Sequence, residues 1–390
     1  MQYDEDLNER QTLAISSIRQ LMTKYGDDYW FGLEKEKKYP EEFVSEFEKA
    51  GFAAAPIPEV YGGPGLSIKD ASLILEEINS LGGNCQPFHG QFYLLWMLSR
   101  FASDELKREY LPKIAKGELR LQTFALTEPE AGTETTKIRT FAEKDGDTYR
   151  ISGHKIFISR YEQSDLMVLA ARTTPYEAAA KKTEGLSLFL VPLAEARGIR
   201  HSKIDVMFNT QTYELFIEGL ELPERYRIGE EGAGFKYLLN ILNPERILLA
   251  SECVGDARWF IDRAVNYVKA RNVYGKPIGA NQGVQFPLAD VYANLVAARE
   301  ARSKAADLFD QGADLKNVGA HANIAKYLAT ECSWNAANIA MDVYGGYGMA
   351  LDSHVERKFR ETRLYRVAPI PQNLVLAYIA QSVMELPRSY

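Results

Sequence analysis

Cysteine is scarce in this chain: Cys85, Cys253 and Cys332 are all there are in 390 residues, scattered and odd in number. That excludes a disulfide framework and offers no pair at metal-ligand spacing. The five histidines are equally isolated, so no metal site is read and each is assigned to structure or surface. A basic stripe is missing too. Net charge is −7, with Lys and Arg spread throughout, which argues against a nucleic-acid partner. The longest apolar stretches, such as Leu186 to Leu193, are far too short to cross a bilayer, so no membrane is expected. Met1-Gln-Tyr-Asp-Glu-Asp is acidic without an apolar region, so no signal peptide is read and a reducing cytoplasm fits. No Gly-x-Gly-x-x-Gly follows a strand to open a helix, which excludes a Rossmann nucleotide site.

What is present is the composition of a globular protein, 46% hydrophobic and 25% charged, at a length that implies two or three domains. Residues 1–120 read as helical, with apolar residues at helical spacing over Leu7–Lys24, Phe43–Ala50, Ser72–Leu81 and Leu94–Phe101. Asp104 is placed as a helix N-cap. Residues 121–231 change character. Tyr149 to Ile158 alternates after a turn at Asp145-Gly-Asp147, and Leu166–Ala171, Leu186–Val191 and Tyr213–Ile217 are further strands. An antiparallel β domain is expected there. Residues 232–390 return to long helices, Phe235–Ala270 with Pro244 inside it, Phe286–Phe309, Val318–Val343 and Leu374–Met384, which suggest a four-helix bundle.

Three segments carry chemistry. In Phe124-Ala-Leu-Thr-Glu-Pro-Glu-Ala-Gly-Thr133 and Lys155-Ile-Phe-Ile-Ser159, backbone N–H groups and hydroxyls can grip the edge of a flat heteroaromatic ring. Taken alone, the first reads more simply as an ordinary strand-to-loop transition with Pro129 and Gly132 as turn residues. In Arg271-Asn-Val-Tyr-Gly-Lys-Pro-Ile-Gly-Ala-Asn-Gln282, an arginine at a helix end can pair with a pyrophosphate or merely complement the helix dipole. In Asp342-Val-Tyr-Gly-Gly-Tyr-Gly348, the adjacent glycines admit a close phosphate or adenine, or simply stop a helix. The charges of Val355 to Arg363, namely Glu356, Arg357, Arg360, Glu361 and Arg363, read as a structural ion-pair network.

Together these segments resemble the acyl-CoA dehydrogenase family over nearly the whole chain. The resemblance implies an α+β multidomain fold: an N-terminal helical domain, a middle antiparallel β-barrel domain and a C-terminal four-helix bundle. It implies FAD, with Phe124, Leu126 and Thr127 along the isoalloxazine, Gly132 and Thr133 beside it, Phe157 stacked on the ring, and Ile158 and Ser159 adjoining it. Arg271, Tyr274 and Gln282 would reach the FAD of a neighbouring subunit, and Asp342, Gly345 and Gly346 would complete that site. Asp342 stands where the family more often has Gln. Thr133, Asn243 and Arg246 would contact an acyl-CoA substrate, electron-transfer flavoprotein would accept the electrons, and the assembly would be a homotetramer.

One departure bears on mechanism. Many members continue into Tyr-Glu-Gly-Thr, whose Glu removes the substrate α-proton; here Leu364-Tyr-Arg-Val-Ala-Pro-Ile-Pro-Gln-Asn373 puts Pro369 at that position. No acidic residue lies between Arg363 and Met384. The base is therefore sought at Glu245, in Asn243-Pro-Glu-Arg246 on the first bundle helix, where isovaleryl-CoA and long-chain types carry theirs. Apolar neighbours there would raise its pKa toward that of a useful base. The plain alternative is that Glu245 pairs with Arg246 or caps a turn at Pro244. Proline also removes the backbone N–H that helps polarise the thioester in the family. Two other functions stay open: an acyl-CoA or nitroalkane oxidase of the same fold, and a non-catalytic FAD-binding relative.

Overall fold

The structure is a computed structural model, and it describes residues 7–388. In chain order the helices are α1 Glu9–Met22, α2 Asp27–Glu36, α3 Glu41–Lys49, α4 Ile68–Ser80, α5 Gln86–Phe101 and α6 Asp104–Ala115. After the strands come α7 Gly234–Ala270, α8 Gln282–Asp310, α9 Leu315–Tyr344, α10 Gly346–Met349, α11 Val355–Arg363 and α12 Gln372–Tyr378. The strands are β1 Thr123–Ala125, β2 Phe141–Asp145, β3 Thr148–Ser159, β4 Leu166–Arg172, β5 Leu186–Pro192, β6 Ile199–Lys203, β7 Thr212–Pro223 and β8 Arg227–Ile228. They form two compact units, described separately.

The first unit comprises the described parts of Met1–Glu36, Ser67–Cys85 and Asn243–Tyr390. It holds α1, α2, α4, most of α7, and α8 to α12. The chain enters α1 through a reciprocal cap, in which Asn8 Oδ1 accepts from Gln11 N–H at 2.9 Å and Gln11 Oε1 accepts from Asn8 N–H at 3.2 Å. α9 buries a seam of small residues (Ala322, Ala325, Ala329, Cys332, Ser333, Ala336, Ala340) at three- and four-residue spacing, which lets α8 lie close against it. Gly255 on α7 allows another close crossing, because a Cβ there would sit 2.4 Å from the Glu76 carbonyl of α4. Glu76 is the hub of these helices. Its buried carboxylate meets Arg258 of α7 at 2.7 Å and also pairs with Arg302 of α8. Against the upward pull of burial, these guanidiniums hold it below the usual carboxylate range. The fourth bundle helix is shorter than its sequence pattern: α12 ends at Tyr378 and a π-turn, Ile379–Val383, replaces the rest.

The second unit comprises Lys37–Leu66 and Gln86–Leu242. Phe43 and Phe47 of α3 and Phe88 and Phe92 of α5 are fully buried, with Phe47 and Phe88 stacked at 3.7 Å between centroids. The eight-stranded sheet runs β6-β7-β3-β2-β4-β5-β8, with β1 beside β4. It is largely antiparallel, as the alternation predicts, but β1 and β2 each pair with β4 in parallel. The Asp145-Gly-Asp turn closes the β2–β3 hairpin with Gly146 at φ +62°. α6 is capped by Ser103, whose side chain accepts from Leu106 N–H at 3.2 Å; Asp104 is the first helical residue instead, where its charge favours the helix dipole.

The ion-pair reading of α11 holds in part. Arg357 meets Glu361 at 2.8 Å and Arg360 meets Glu356 at 2.8 Å, while Arg363 lies over the Trp334 ring, 5.4 Å from its centroid. The same helix supplies Lys358, fully buried against Asp256 of α7 and Glu361. Glu252, whose Oε2 accepts from the Tyr365 hydroxyl at 3.2 Å, lies close by. Three carboxylates thus share a buried cluster with two cations. Burial pushes Asp256 up to about 7 despite Lys358. The folded state therefore holds a proton between about pH 4 and 7 that the unfolded chain has released, so this group's stabilisation falls as pH rises through that window. Urea unfolding at pH 5 and pH 7 is expected to show Asp256→Asn gaining about 2 kcal/mol on wild type between the two pH values; parallel curves would refute the assignment.

Candidate active site

The first constellation is built on β3 of the second unit. Opposite β7 the register steps from Lys155↔Leu215 to Ile158↔Tyr213, so β3 carries one extra residue. The bulge is taken up at Phe157, whose φ of +57° is costly for an aromatic residue and whose side chain is 61% exposed. A large flat ring is thus lifted out of the sheet. Ser159, two residues on, is half-buried, while Ile158 packs inside against the β7 side and can offer only its backbone. The loop after β1 is tied to this bulge, since Ile156 N–H donates to the Thr127 carbonyl at 3.0 Å. Phe124, Leu126 and Thr127 are half-buried along that stretch, and the Phe124 ring meets Tyr93 edge-on at 6.3 Å. Gly132 lies over the Thr127 methyl, and Thr133 beside it is exposed. The two segments singled out from sequence therefore stand together.

Sequence reasoning missed what joins them. Lys155, 0% exposed, donates from Nζ to the Leu126 carbonyl at 3.0 Å and to Glu128 Oε1 at 2.8 Å. Glu128 in turn accepts from Arg139 N–H at 2.6 Å, Thr140 N–H at 2.9 Å and Thr140 Oγ1 at 2.5 Å. Gly153 of β3 leaves room for that Thr140, because a Cβ at 153 would fall 2.2 Å from Thr140 Oγ1. A Glu in a Pro- and Gly-containing loop and a Lys on an alternating strand carry no signal of burial. Their separation of 27 residues gave none of pairing.

The second constellation lies in the first unit. Arg271, Gly345 and Gly346 line an open groove of about 550 Å³ with Tyr267, Tyr344 and Tyr347. Tyr267 and Tyr344 stack at 4.1 Å, giving the groove an aromatic wall beside a guanidinium. Asp342, on the last turn of α9, and Gln282, the first residue of α8, are exposed but do not line it. Tyr274 sits at φ +52° in the turn between two-residue strands, Asn272–Val273 and Lys276–Pro277, and is 101% exposed, so it touches nothing of its own chain.

The third is on α7. Asn243 and Glu245 are 5% and 8% exposed, and Arg246 Nη1 donates to Asn243 Oδ1 at 3.3 Å. Burial lowers the Arg246 pKa, and Glu245 and Tyr378 oppose that. Asn243 stands over Gly319 of α9. The segment around Pro369 is anchored to the same helix. Lys326 Nζ donates to the Ile370 carbonyl at 3.0 Å and to Gln372 Oε1 at 2.8 Å, and Gln372 Nε2 reaches Glu331 at 2.9 Å. Burial pulls Lys326 down to about 8. Among the described residues no cluster of His, Cys, Asp and Glu suits a metal ion, and no helix is long and apolar enough to cross a membrane.

In the second unit a raised aromatic ring with hydroxyls beside it suits contact with a flat ring; in the first, separately, an arginine–diglycine groove suits a phosphate. The comparisons with known proteins agree. Three family models match: the acyl-CoA dehydrogenase N-terminal domain over residues 8–118, the middle domain over 123–219 and the C-terminal domain over 232–384. The chain is 35% identical over 390 residues to acyl-CoA dehydrogenase FadE12 of Mycobacterium tuberculosis, covering 98% of this chain and 97% of that one. It superposes on glutaryl-coenzyme A dehydrogenase in complex with glutaryl-CoA with a TM-score of 0.91 at 28% identity, covering 99% and 98% of the two chains. A chain in a structure named for the electron transferring flavoprotein of Acidaminococcus fermentans gives a TM-score of 0.91 at 27% identity, covering 99% and 100%. This chain belongs to the acyl-CoA dehydrogenase family. It is an FAD-dependent oxidoreductase.

The strain at Phe157 gives a direct test of its role. Phe157→Gly relieves a positive φ at the cost of a looser unfolded chain, so the FAD-free protein is expected to keep its stability within about 1 kcal/mol. FAD binding, followed by fluorescence quenching, is expected to weaken about tenfold or more, since aromatic stacking of this size is worth 1 kcal/mol or more. Unchanged FAD affinity would remove Phe157 from the ring site.

Proposed function

We propose that this protein catalyses the α,β-dehydrogenation of an acyl-CoA thioester to the 2-enoyl-CoA, with Glu245 as the base. The observation that carries this reading is a buried carboxylate on α7, one turn of helix shared with Asn243 and Arg246, in a chain whose usual base position is Pro369. FAD, when bound, supplies the acceptor for the two electrons that leave with the β-hydrogen.

The chain's own groups do the rest. Glu245 takes the α-proton, as a buried carboxylate held on a rigid helix. The Arg246 guanidinium, itself anchored by Asn243, keeps positive charge beside that carboxylate in the resting state. Thr133, exposed at the loop tip, contacts the pantetheine arm. Phe124, Leu126, Thr127, Phe157 and Ser159 hold the flavin ring. Arg271, Tyr274 and Gln282 reach the FAD of a neighbouring subunit in a homotetramer, and the full exposure of Tyr274 supports this. Electron-transfer flavoprotein is the proposed acceptor, in keeping with the Acidaminococcus structure above. Three buried, unbridged cysteines are consistent with a reducing cytoplasm.

The test is anaerobic bleaching of the flavin by a panel of straight, branched and cyclic acyl-CoAs, run on wild type and Glu245→Gln. The expected outcome is bleaching by at least one substrate class in wild type and a rate lower by about 10³-fold or more in the variant, the usual scale for loss of a positioned base. Bleaching at the wild-type rate in Glu245→Gln would remove the assignment. Stoichiometric peroxide in air would instead identify an oxidase.

A further inference from the structure

The ring cradle depends on an enclosed cation that holds its backbone from within. Three observations bear on Lys155. Its ammonium is completely enclosed, with the Leu126 carbonyl and the Glu128 carboxylate as its hydrogen-bond acceptors. Its own strand continues into the Ile156 N–H that fastens the Thr127 carbonyl, and then into the strained Phe157. The carboxylate it holds fixes Arg139 and Thr140 on the far side of the loop, so the turn at 128–131 is clamped at both ends.

We propose that Lys155 is the positioning residue of the flavin site. Paired with Glu128, it sets where the 124–127 segment and the Phe157 ring stand relative to each other. This rests on the reading that those residues hold the flavin ring.

The physical argument is one of alternatives. A bulge with a left-handed aromatic residue persists only where its surroundings over-determine it. Here the strand's ordinary ladder is interrupted between Lys155 and Ile158, so the β7 side does not fix the bulge. What does fix it comes from the loop: one backbone bond from Ile156 and the lysine's two bonds. Burial draws the Lys155 pKa down to about 8, with Glu128 opposing that; the carboxylate is what keeps the ammonium charged near neutrality. Glu128 is held below the ordinary carboxylate range by Lys155 and by its hydrogen bonds to Thr140 and Arg139, which outweigh burial. Removing Lys155 leaves the Glu128 carboxylate enclosed without its cation, and removing Glu128 leaves the lysine enclosed without the charge that keeps it protonated; the loop avoids either by opening to water. Opening moves Leu126 and Thr127, the residues along the ring, without altering any group that touches it.

The experiment uses the full chain, stripped of FAD and reloaded. Lys155→Met keeps the stem and loses both hydrogen bonds. The expected result is FAD binding weakened about tenfold or more, the scale for losing a hydrogen bond to a charged group. A shifted visible flavin band in the bound fraction is expected with it, a signature that lost fold stability alone does not produce. Wild-type affinity and an unshifted band in Lys155→Met would overturn the proposal. Should Lys155→Met fail to fold, Glu128→Gln decides by the same two readouts: a weakened and shifted flavin supports the clamp, and wild-type values reject it. Phe157→Gly separates this inference from the reading beneath it. Weakened binding there with unchanged Lys155→Met rejects the clamp alone, whereas unchanged binding in Phe157→Gly rejects the ring assignment itself.

Discussion

One buried ion pair, Lys155 with Glu128, ties the loop after β1 to β3 in the second unit. Enclosing two charges is expensive, and a buried pair is weak evidence of net stabilisation. Its worth here is geometric. A Pro- and Gly-containing loop has many conformations of similar energy, and apolar contacts choose poorly among them. An enclosed ammonium that must find acceptors selects the one conformation in which the Leu126 carbonyl and the Glu128 carboxylate both converge on it. The bulge at Phe157 is then held from the loop side, through the Ile156 N–H and the lysine.

The first unit uses buried charge in the same way. Glu76 draws arginines from α7 and α8 onto α4, and Lys358 draws α11 onto α7. Small residues along α9 let helices approach, and such seams are permissive about rotation and register. A guanidinium that must meet one carboxylate is not. The close approaches are supplied by alanine and glycine, and the choice among them is made by charge.

Much of the architecture was legible from the sequence. The helical periods of α1, α4, α7, α8 and α9 and the alternation of β3 lie on long amphipathic stretches, where one face meets the core and the pattern is strong. α2 escaped because only Trp30 of it is buried, so it carries no apolar stripe. β1 and β6 escaped for opposite reasons, one being three residues long and the other polar along nearly its whole length. Ser103 rather than Asp104 caps α6 because two adjacent residues satisfy the same rule and only the backbone geometry separates them. At the candidate site, exposed Phe157 and Gly345 and the groove-lining Arg271 sit in short motifs that the sequence singles out. Lys155, Glu128 and Lys326 could not be read as buried, since burial of a charge is a property of the fold and leaves no periodic trace.

The position of Pro369 shows how the two kinds of information combine. Sequence states only that no acid is available from 364 to 384. The structure adds that the following residues are engaged otherwise: the Ile370 carbonyl and the Gln372 amide are committed to Lys326, and Gln372 also reaches Thr330 and Glu331. The segment is therefore a fastening of chain onto α9. A base on a loop must be brought to its proton by the loop, and it loses orientation whenever the loop moves. A carboxylate on α7 is oriented by a helix of 37 residues and by the packing of its neighbours. Under the proposed assignment, catalysis and anchoring are divided between two helices: α7 carries the proton-accepting group, and α9 holds the segment that elsewhere in the family carries it. Restoring a glutamate at 369 would not restore the usual arrangement by itself, because the Lys326 contacts that hold residues 370–372 would still fix the backbone there.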